Sequence, residues 1–149
     1  MSADSIVALA PIPVLYVAGE KQRPAFEQAS KAFARLEAQL SSLKGRRFYG
    51  TIVDGEYRAC VAEQPGDEGL AITRWTLPGG YYRRLRLADW EAQRDRIGPT
   101  AADLRARPDH DPARSVIEYY RGRRELQILG PVRGVQTPTA RVPRRATAL

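Results

Sequence analysis

The chain has 149 residues, of which 43% are hydrophobic and 28% are charged, and this composition predicts one soluble globular domain with its own core. No apolar run approaches the ~20 residues that a transmembrane helix needs, and Met1–Leu15 lacks the Lys or Arg that opens a signal peptide. A single cysteine, Cys60, excludes an internal disulfide, so we expect a cytoplasmic protein.

A strand and a long helix are the first predicted elements. Pro13–Ala18 has the composition of a strand. In Pro24–Lys44 apolar residues recur every three or four positions, which is typical of an amphipathic helix. Pro24 suits the first helical turn, and Gly45 suits the position after the last one. The apolar stripe consists of Phe26, Ala29, Phe33, Leu36, Leu40 and Leu43.

A β-hairpin is predicted next, because Asp54-Gly55 separates the strand-like runs Phe48–Val53 and Glu56–Ala62. The two-residue turn fixes a register with one apolar face for the helix to cover. The facing pairs on it are Ile52 with Tyr57, Gly50 with Ala59, and Phe48 with Val61. The opposite face suits solvent and a ligand-facing wall equally well, and carries Tyr49, Thr51, Arg58 and Cys60.

The order strand, helix, hairpin then occurs a second time. A strand region, Leu70–Leu87, is bent at Pro78-Gly79-Gly80, and a helical region follows at Asp89–Arg107. We expect Gly98-Pro99 to kink or break that helix. Two further strands, Ser115–Arg121 and Glu125–Leu129, form the second hairpin around Gly122.

The C-terminal segment from Arg133 to Leu149 is basic. It holds four arginines and no acid, which leaves a net charge of +3 of the total +7 on the rest of the chain. Prolines and the lack of an apolar period predict a disordered, solubilising tail. Scattered arginines without interleaved aromatics do not favour a nucleic-acid-binding arm, so no nucleic-acid partner is predicted.

Glu118 is the most informative residue, because it interrupts an apolar strand pattern that runs from Val116 to Tyr120. Alternation places Val116, Glu118 and Tyr120 on one face. If that face is covered, the carboxylate needs a cation, a hydrogen-bond donor or a proton. If it is solvated, Glu118 is an ordinary strand acid paired with an arginine such as Arg123 or Arg124.

Other candidate residues have a structural and a functional interpretation. Trp75 and Trp90 suit core packing or the walls of a ligand site. His110 lies between two acids in a turn sequence, where one histidine is weak support for a metal site. No Ser-His-Asp set, phosphate loop or metal cluster is present in the sequence, so no cofactor and no metal are predicted.

Several segments stand in a familiar order: Thr76–Tyr82 (TLPGGYY), Trp90, Ile117–Tyr120 (IEYY) and Gly130–Val132 (GPV). From about Ile12 to Val132 the chain resembles the GyrI-like small-molecule-binding domain, which also forms the effector-binding half of multidrug-sensing transcription regulators. The resemblance implies an α+β fold in which two pseudo-symmetric β-α-β-β modules, residues 12–62 and 70–132, form an antiparallel sheet. The fold that the resemblance implies also has two long helices and a central ligand groove. The basic stretch after Tyr82 departs from the family pattern.

The resemblance also implies roles for individual residues. Glu118 matches the family's strand glutamate at the bottom of the groove, and Tyr120 is its aromatic neighbour. Trp90 matches the helical aromatic beside the groove, and Tyr49 falls where the first hairpin often supplies another wall residue. With Trp75 as a further aromatic candidate, these residues form the predicted ligand-binding set.

Two functions of different classes follow. The first is a stand-alone binding protein for an aromatic or cationic small molecule, with Glu118 as the charge partner. The alternative is a hydrolase of cyclopropane-bearing DNA-alkylating natural products, as in some family members, with Glu118 as general acid or base. A protein partner such as DNA gyrase is a third, weaker expectation. The residues before the first strand are too few for a helix-turn-helix, so we expect no DNA-binding regulator, and a monomer is compatible with the predicted fold.

Overall fold

A computed structural model of the protein describes residues 5–134. The basic tail predicted from Arg133 onward therefore lies, apart from its first two residues, outside the described part of the chain. No helix within residues 5–134 combines the length and the apolar character needed to cross a bilayer.

The described chain is an α+β structure with one eight-stranded antiparallel sheet, as the sequence predicted at the level of fold class. The strand order is β1-β6-β8-β7-β3-β4-β2-β5. The elements are β1 (Ser5–Leu9), β2 (Ile12–Ala18), α1 (Ala25–Ala38), β3 (Phe48–Val53), β4 (Glu56–Ala62), β5 (Thr73–Leu77), β6 (Gly80–Ala88), α2 (Ile97–Arg105), β7 (Ile117–Tyr120) and β8 (Glu125–Pro131), with 3₁₀ turns at Asp67–Gly69 and Trp90–Arg96.

The sheet curls around a core on the face away from the helices. Val7 and Leu9 of β1 pack into the same apolar cluster as Val14 and Leu77, although their strands lie near opposite ends of the strand order. Strand β1 was not predicted from the sequence. It pairs along β6 and so extends that end of the sheet.

Helix α1 begins where the sequence predicted but ends at Ala38 rather than Lys44. Beyond it, the Ser42 hydroxyl accepts a hydrogen bond from the Lys44 amide at 3.2 Å, a local bond that replaces a helical one. Leu43, assigned to the helical stripe, is 44% exposed. The helix buries Ala32 and Leu36 against β2 and β4, where they join a second core cluster.

The first hairpin forms with the predicted bounds and register, including the pair of Gly50 with Ala59. Strand β3 also pairs with β7, which sets Gly50 opposite Glu118 and Phe48 opposite Tyr120. This β3–β7 pairing joins the two halves of the sheet, and it brings the second hairpin beside the first.

The second half differs from its prediction in two places. Leu70–Leu87 contains two strands that pair with different neighbours: β5 with β2, and β6 with β1 and β8. The helical region is a 3₁₀ segment followed by the short α2, and its non-helical residue is Gln93. The kink expected at Gly98-Pro99 is absent, because these residues lie in the first turn of α2, where proline is tolerated.

Candidate functional site

A cavity of about 630 Å³ lies between α1, the segment Trp90–Arg105 and the sheet. Its floor is the helix-facing side of β3, β4 and β7, and its size is typical of a small-molecule site. Helix α1 leaves room for it because its apolar stripe is wide: Ala32 packs on the sheet, whereas Phe26 and Phe33 line the cavity. The other lining side chains include Ala29, Phe48, Ile52, Tyr57, Trp90, Ile97, Ala101, Glu118 and Tyr120.

The carboxylate of Glu118 lies at the floor of this cavity. Its Oε1 accepts hydrogen bonds from the hydroxyls of Tyr57, at 2.7 Å, and Tyr120, at 2.6 Å. The two hydroxyl oxygens are 3.3 Å apart. Within residues 5–134, Oε2 receives no hydrogen bond and no Lys or Arg forms an ion pair with the carboxylate. One oxygen is thus held by the protein, and the other is left for an occupant.

Gly50 makes this arrangement possible. A Cβ at position 50 would lie 1.8 Å from the Tyr57 hydroxyl and 2.8 Å from Glu118 Oε1. Only a residue without a side chain allows the Tyr57 ring to cross β3 and reach Glu118 on β7. The glycine therefore belongs to the site, although it offers no chemistry of its own.

The pKa values of Glu118, Tyr57 and Tyr120 are all shifted by their surroundings. Burial raises the pKa of Glu118, and the hydrogen bonds from Tyr120 and Tyr57 oppose that rise without cancelling it. Burial, together with the nearby carboxylate, raises the pKa of Tyr57 and Tyr120 well above the usual phenol value. Both tyrosines therefore remain neutral hydrogen-bond donors at physiological pH.

Aromatic rings surround the carboxylate in edge-to-face contacts. The ring of Phe33 meets those of Tyr57 and Tyr120 at centroid distances of 6.0 and 5.3 Å. Trp90 meets Tyr120 at 5.1 Å, and its indole N–H donates to the Gly122 carbonyl at 2.9 Å. These contacts fix the rings in place, so the cavity has preformed aromatic walls.

Three of the predicted site residues meet at this cavity: Glu118, Tyr120 and Trp90. The alternative pairing of Glu118 with Arg123 or Arg124 does not occur. Both arginines are exposed in the turn between β7 and β8, whereas Glu118 lies under the helices. Some exposure remains at Glu118 because the cavity reaches it.

The other two predicted wall residues lie outside the cavity. Tyr49 neighbours Gly50 in β3, so strand alternation points it to the opposite face, where it stacks on Tyr119 with ring centroids 4.8 Å apart. Trp75 is on strand β5 and meets Tyr16 edge to face. The Arg58 guanidinium lies 4.6 Å from the centroid of the Trp75 ring.

Sequence reasoning did not assign Tyr57 and Phe33 to the site. Tyr57 was placed on the helix-covered face and Phe33 in the apolar helical stripe, without a role in ligand binding. A signal was nevertheless present in the sequence, because a tyrosine on a buried face needs a partner for its hydroxyl. Phe26 was also assigned to the apolar stripe, and it is 63% exposed at the cavity.

Comparison with family models and with curated proteins finds no match. Among solved structures, an integron cassette protein from the mobile metagenome of Vibrio cholerae matches with a TM-score of 0.68 and 14% identity over 87% of this chain and 95% of that one. SAV2435 bound to tetraphenylphosphonium matches with a TM-score of 0.55 and 14% identity over 89% of this chain and 95% of that one. A Staphylococcus aureus MU50 protein, provisionally named for transcription regulation, matches with a TM-score of 0.55 and 15% identity over 89% of this chain and 99% of that one. The chain shares the fold of these proteins.

Proposed function

We propose that this protein is a GyrI-like binding protein for a hydrophobic aromatic cation, with Glu118 as the charge partner. One observation carries the proposal: at the floor of an aromatic cavity lies a carboxylate that has no cationic partner among residues 5–134. Burying an uncompensated acid is costly. An occupant that supplies the missing positive charge recovers part of that cost.

The walls suit the rest of such a ligand. Phe33, Trp90 and Tyr120 present rings around the carboxylate, and a cation near aromatic faces gains about 0.5–2 kcal/mol per contact. Flat or multi-ring bodies fill an apolar cavity of this size without polar partners for each atom. The fold match to a protein bound to tetraphenylphosphonium, an aromatic cation, supports the same ligand class.

The two halves of the sheet are consistent with a pseudo-symmetric arrangement around this site. The order β2-β4-β3 in the first half corresponds to β6-β8-β7 in the second, with the β3–β7 pair between them. We propose that residues 12–62 and 70–132 are the two modules of one ligand-binding domain.

Substitution of Glu118 by Gln tests the proposal. Tetraphenylphosphonium and the neutral triphenylphosphine oxide serve as probes, followed by calorimetry. We expect Glu118→Gln to weaken binding of the cation about tenfold or more, which is about 1.4 kcal/mol, and to leave the neutral probe unaffected. Glu91→Gln removes the same charge from an exposed position outside the cavity and serves as the control. An unchanged preference for the cation in Glu118→Gln would remove Glu118 from the binding mechanism.

The raised pKa of Glu118 favours a second candidate function, hydrolysis of cyclopropane-bearing alkylators. A carboxyl group whose pKa lies closer to neutrality is a better general acid, and the Tyr57 and Tyr120 hydroxyls hold it in one orientation. Incubation with such an alkylator separates the two functions. Gain of one water by the compound, lost in Glu118→Gln, indicates a hydrolase, whereas a rise in Tm with an unchanged compound mass indicates a binder.

A further inference from the structure

Two arginines line the cavity on the side opposite α1. Arg94 belongs to the 3₁₀ segment and Arg105 to the last turn of α2, and both are exposed. Neither side chain forms an ion pair or a hydrogen bond with any residue in the described part of the chain. The Arg94 guanidinium lies 5.7 Å from the centroid of the Trp90 ring. Asp103, the acid closest to Arg105 in sequence, is bonded to Arg107 at 3.0 Å.

The cavity therefore separates charge. Among the residues that the structure describes, the Glu118 carboxylate at the floor has no ion-pair partner, and the two guanidinium groups on one wall have none either. Glu37, the other acid that lines the cavity, is exposed on α1. Apolar side chains, Ile97 and Ala101, line the same wall. Arg94 lies near Tyr120, whose hydroxyl donates to Glu118, and its positive charge opposes the rise in the pKa of Tyr120. The two charged regions therefore lie within electrostatic reach of one another.

We infer that the occupant is amphoteric, with a cationic aromatic part seated on Glu118 and a carboxylate that Arg94 and Arg105 bind at the arginine-bearing wall. The inference rests on the proposed function for its cationic part and adds the anionic one. A purely cationic ligand satisfies Glu118 but adds positive charge next to two uncompensated guanidinium groups. An amphoteric ligand pairs with both regions.

Guanidinium groups suit a carboxylate because their planar N–H donors match its two oxygens. Both arginines are exposed, so their attraction is screened by salt. We therefore expect the anionic part to contribute selectivity at low ionic strength, and Glu118 and the aromatic walls to contribute most of the affinity.

A matched pair of dyes tests the inference: rhodamine B, which carries a free benzoate, and its ethyl ester, which has the same xanthylium cation. Fluorescence anisotropy at low salt measures both affinities. We expect the wild-type protein to bind rhodamine B about tenfold more tightly than the ester. The double variant Arg94→Gln/Arg105→Gln should reduce that ratio to about one while still binding the ester. Added salt should reduce the wild-type ratio in the same direction.

Arg96→Gln is the matched control, because Arg96 lies on the same segment, is exposed and does not line the cavity. It should keep the wild-type ratio. If the double variant also keeps that ratio, or if the wild type binds both dyes equally, the inference is wrong and the proposed binding of cations stands. Failure of both dyes to bind contradicts both proposals. Unchanged Tm values in the variants show that the exposed substitutions leave the fold intact.

Discussion

Asp67 and Glu118 are both acids held inside the protein, yet their surroundings differ. The Asp67 side chain is 5% exposed and receives two hydrogen bonds of 2.7 Å from the guanidinium of Arg46 and one of 2.8 Å from the Gln64 amide. These contacts lower its pKa to about 2. Glu118 receives hydrogen bonds from two tyrosine hydroxyls on one oxygen and has no ion-pair partner in the part of the chain that the structure describes, and burial raises its pKa.

The difference gives Asp67 a structural role and makes Glu118 the candidate functional acid. Asp67 is fully paired by its own chain and ties the loop after β4 to the residues before β3. Glu118 is held in position by hydrogen bonds to one oxygen only, and it lines the cavity. A buried acid marks a site when the protein orients it without neutralising it.

The largest effect on stability is expected when Asp67 loses its ion-pair partner Arg46. Arg46→Ala leaves Asp67 buried without its cation, and removal of one member of a buried ion pair costs about 3–5 kcal/mol. We expect urea unfolding to show a loss of that size in the free energy of unfolding, with cation affinity unchanged at the distant cavity. Asp67→Asn added to Arg46→Ala should recover part of the loss. A loss below about 1 kcal/mol would place this pair with ordinary surface ion pairs.

Gly50→Ala tests how Glu118 is oriented. The new methyl group overlaps the Tyr57 hydroxyl, so the ring must move and one donor to Glu118 is lost. Overpacking of this kind costs about 2–3 kcal/mol in the free energy of unfolding, and binding of tetraphenylphosphonium should fall together with stability. Gly122→Ala, at an exposed turn position with open space around it, is the control and should change neither. Normal ligand binding in Gly50→Ala would show that Tyr57 is not needed.

Tyr57→Phe removes one hydrogen bond without changing the shape of the cavity. A bond to a charged group contributes about 1.5 kcal/mol or more, and we expect a stability loss near that value. Since the Tyr57 bond lowers the pKa of Glu118, its removal should raise that pKa further. Titration of cation affinity against pH measures the change, and the midpoint should move to higher pH than in the wild type. Tyr119→Phe, on the opposite face, should leave the midpoint in place.

The parts of the structure that were predictable from the sequence are local ones. Asp54-Gly55 and the alternation around it determine the first hairpin and its register, because both depend on neighbouring residues. The same alternation places Glu118 and Tyr120 on one face. The bond between Glu118 and Tyr57 joins residues 61 positions apart across the intervening strand β3. It depends on strand order, which the local pattern does not encode.

Errors in the prediction have the same origin. Tyr49 was chosen for the cavity wall and Tyr57 for the core, although both tyrosines lie in one hairpin. A period of two identifies the two faces of a hairpin but does not tell which face keeps an open space beneath its helix. The second helical region, which lines the cavity, is interrupted at Gln93 and its α-helix is short, and the local sequence pattern did not predict either feature.

The smallest expected effect is the pH dependence of the free energy of unfolding, which has opposite signs for Glu118 and Asp67. Because the folded state raises the pKa of Glu118 above its ordinary value of 4.5, the contribution of this group to stability is present below pH 4.5 and is lost as pH rises through the folded pKa. For Asp67 the pKa falls from 3.8 to about 2, so its contribution is present above 3.8 and is lost as pH falls toward 2.

As pH rises above 4.5, the free energy of unfolding of Glu118→Gln should therefore increase relative to that of the wild type. As pH rises from 2 to 4, the free energy of unfolding of Asp67→Asn should decrease relative to that of the wild type. Urea unfolding of each variant and of the wild type, repeated across both pH ranges, measures these differences. Cation affinity should increase through the same interval in which Glu118 loses its proton, because only the ionised form attracts the ligand. A flat difference for Glu118→Gln, with affinity independent of pH, would mean that the tyrosines already stabilise the ionised acid, and that the ligand adds little charge compensation.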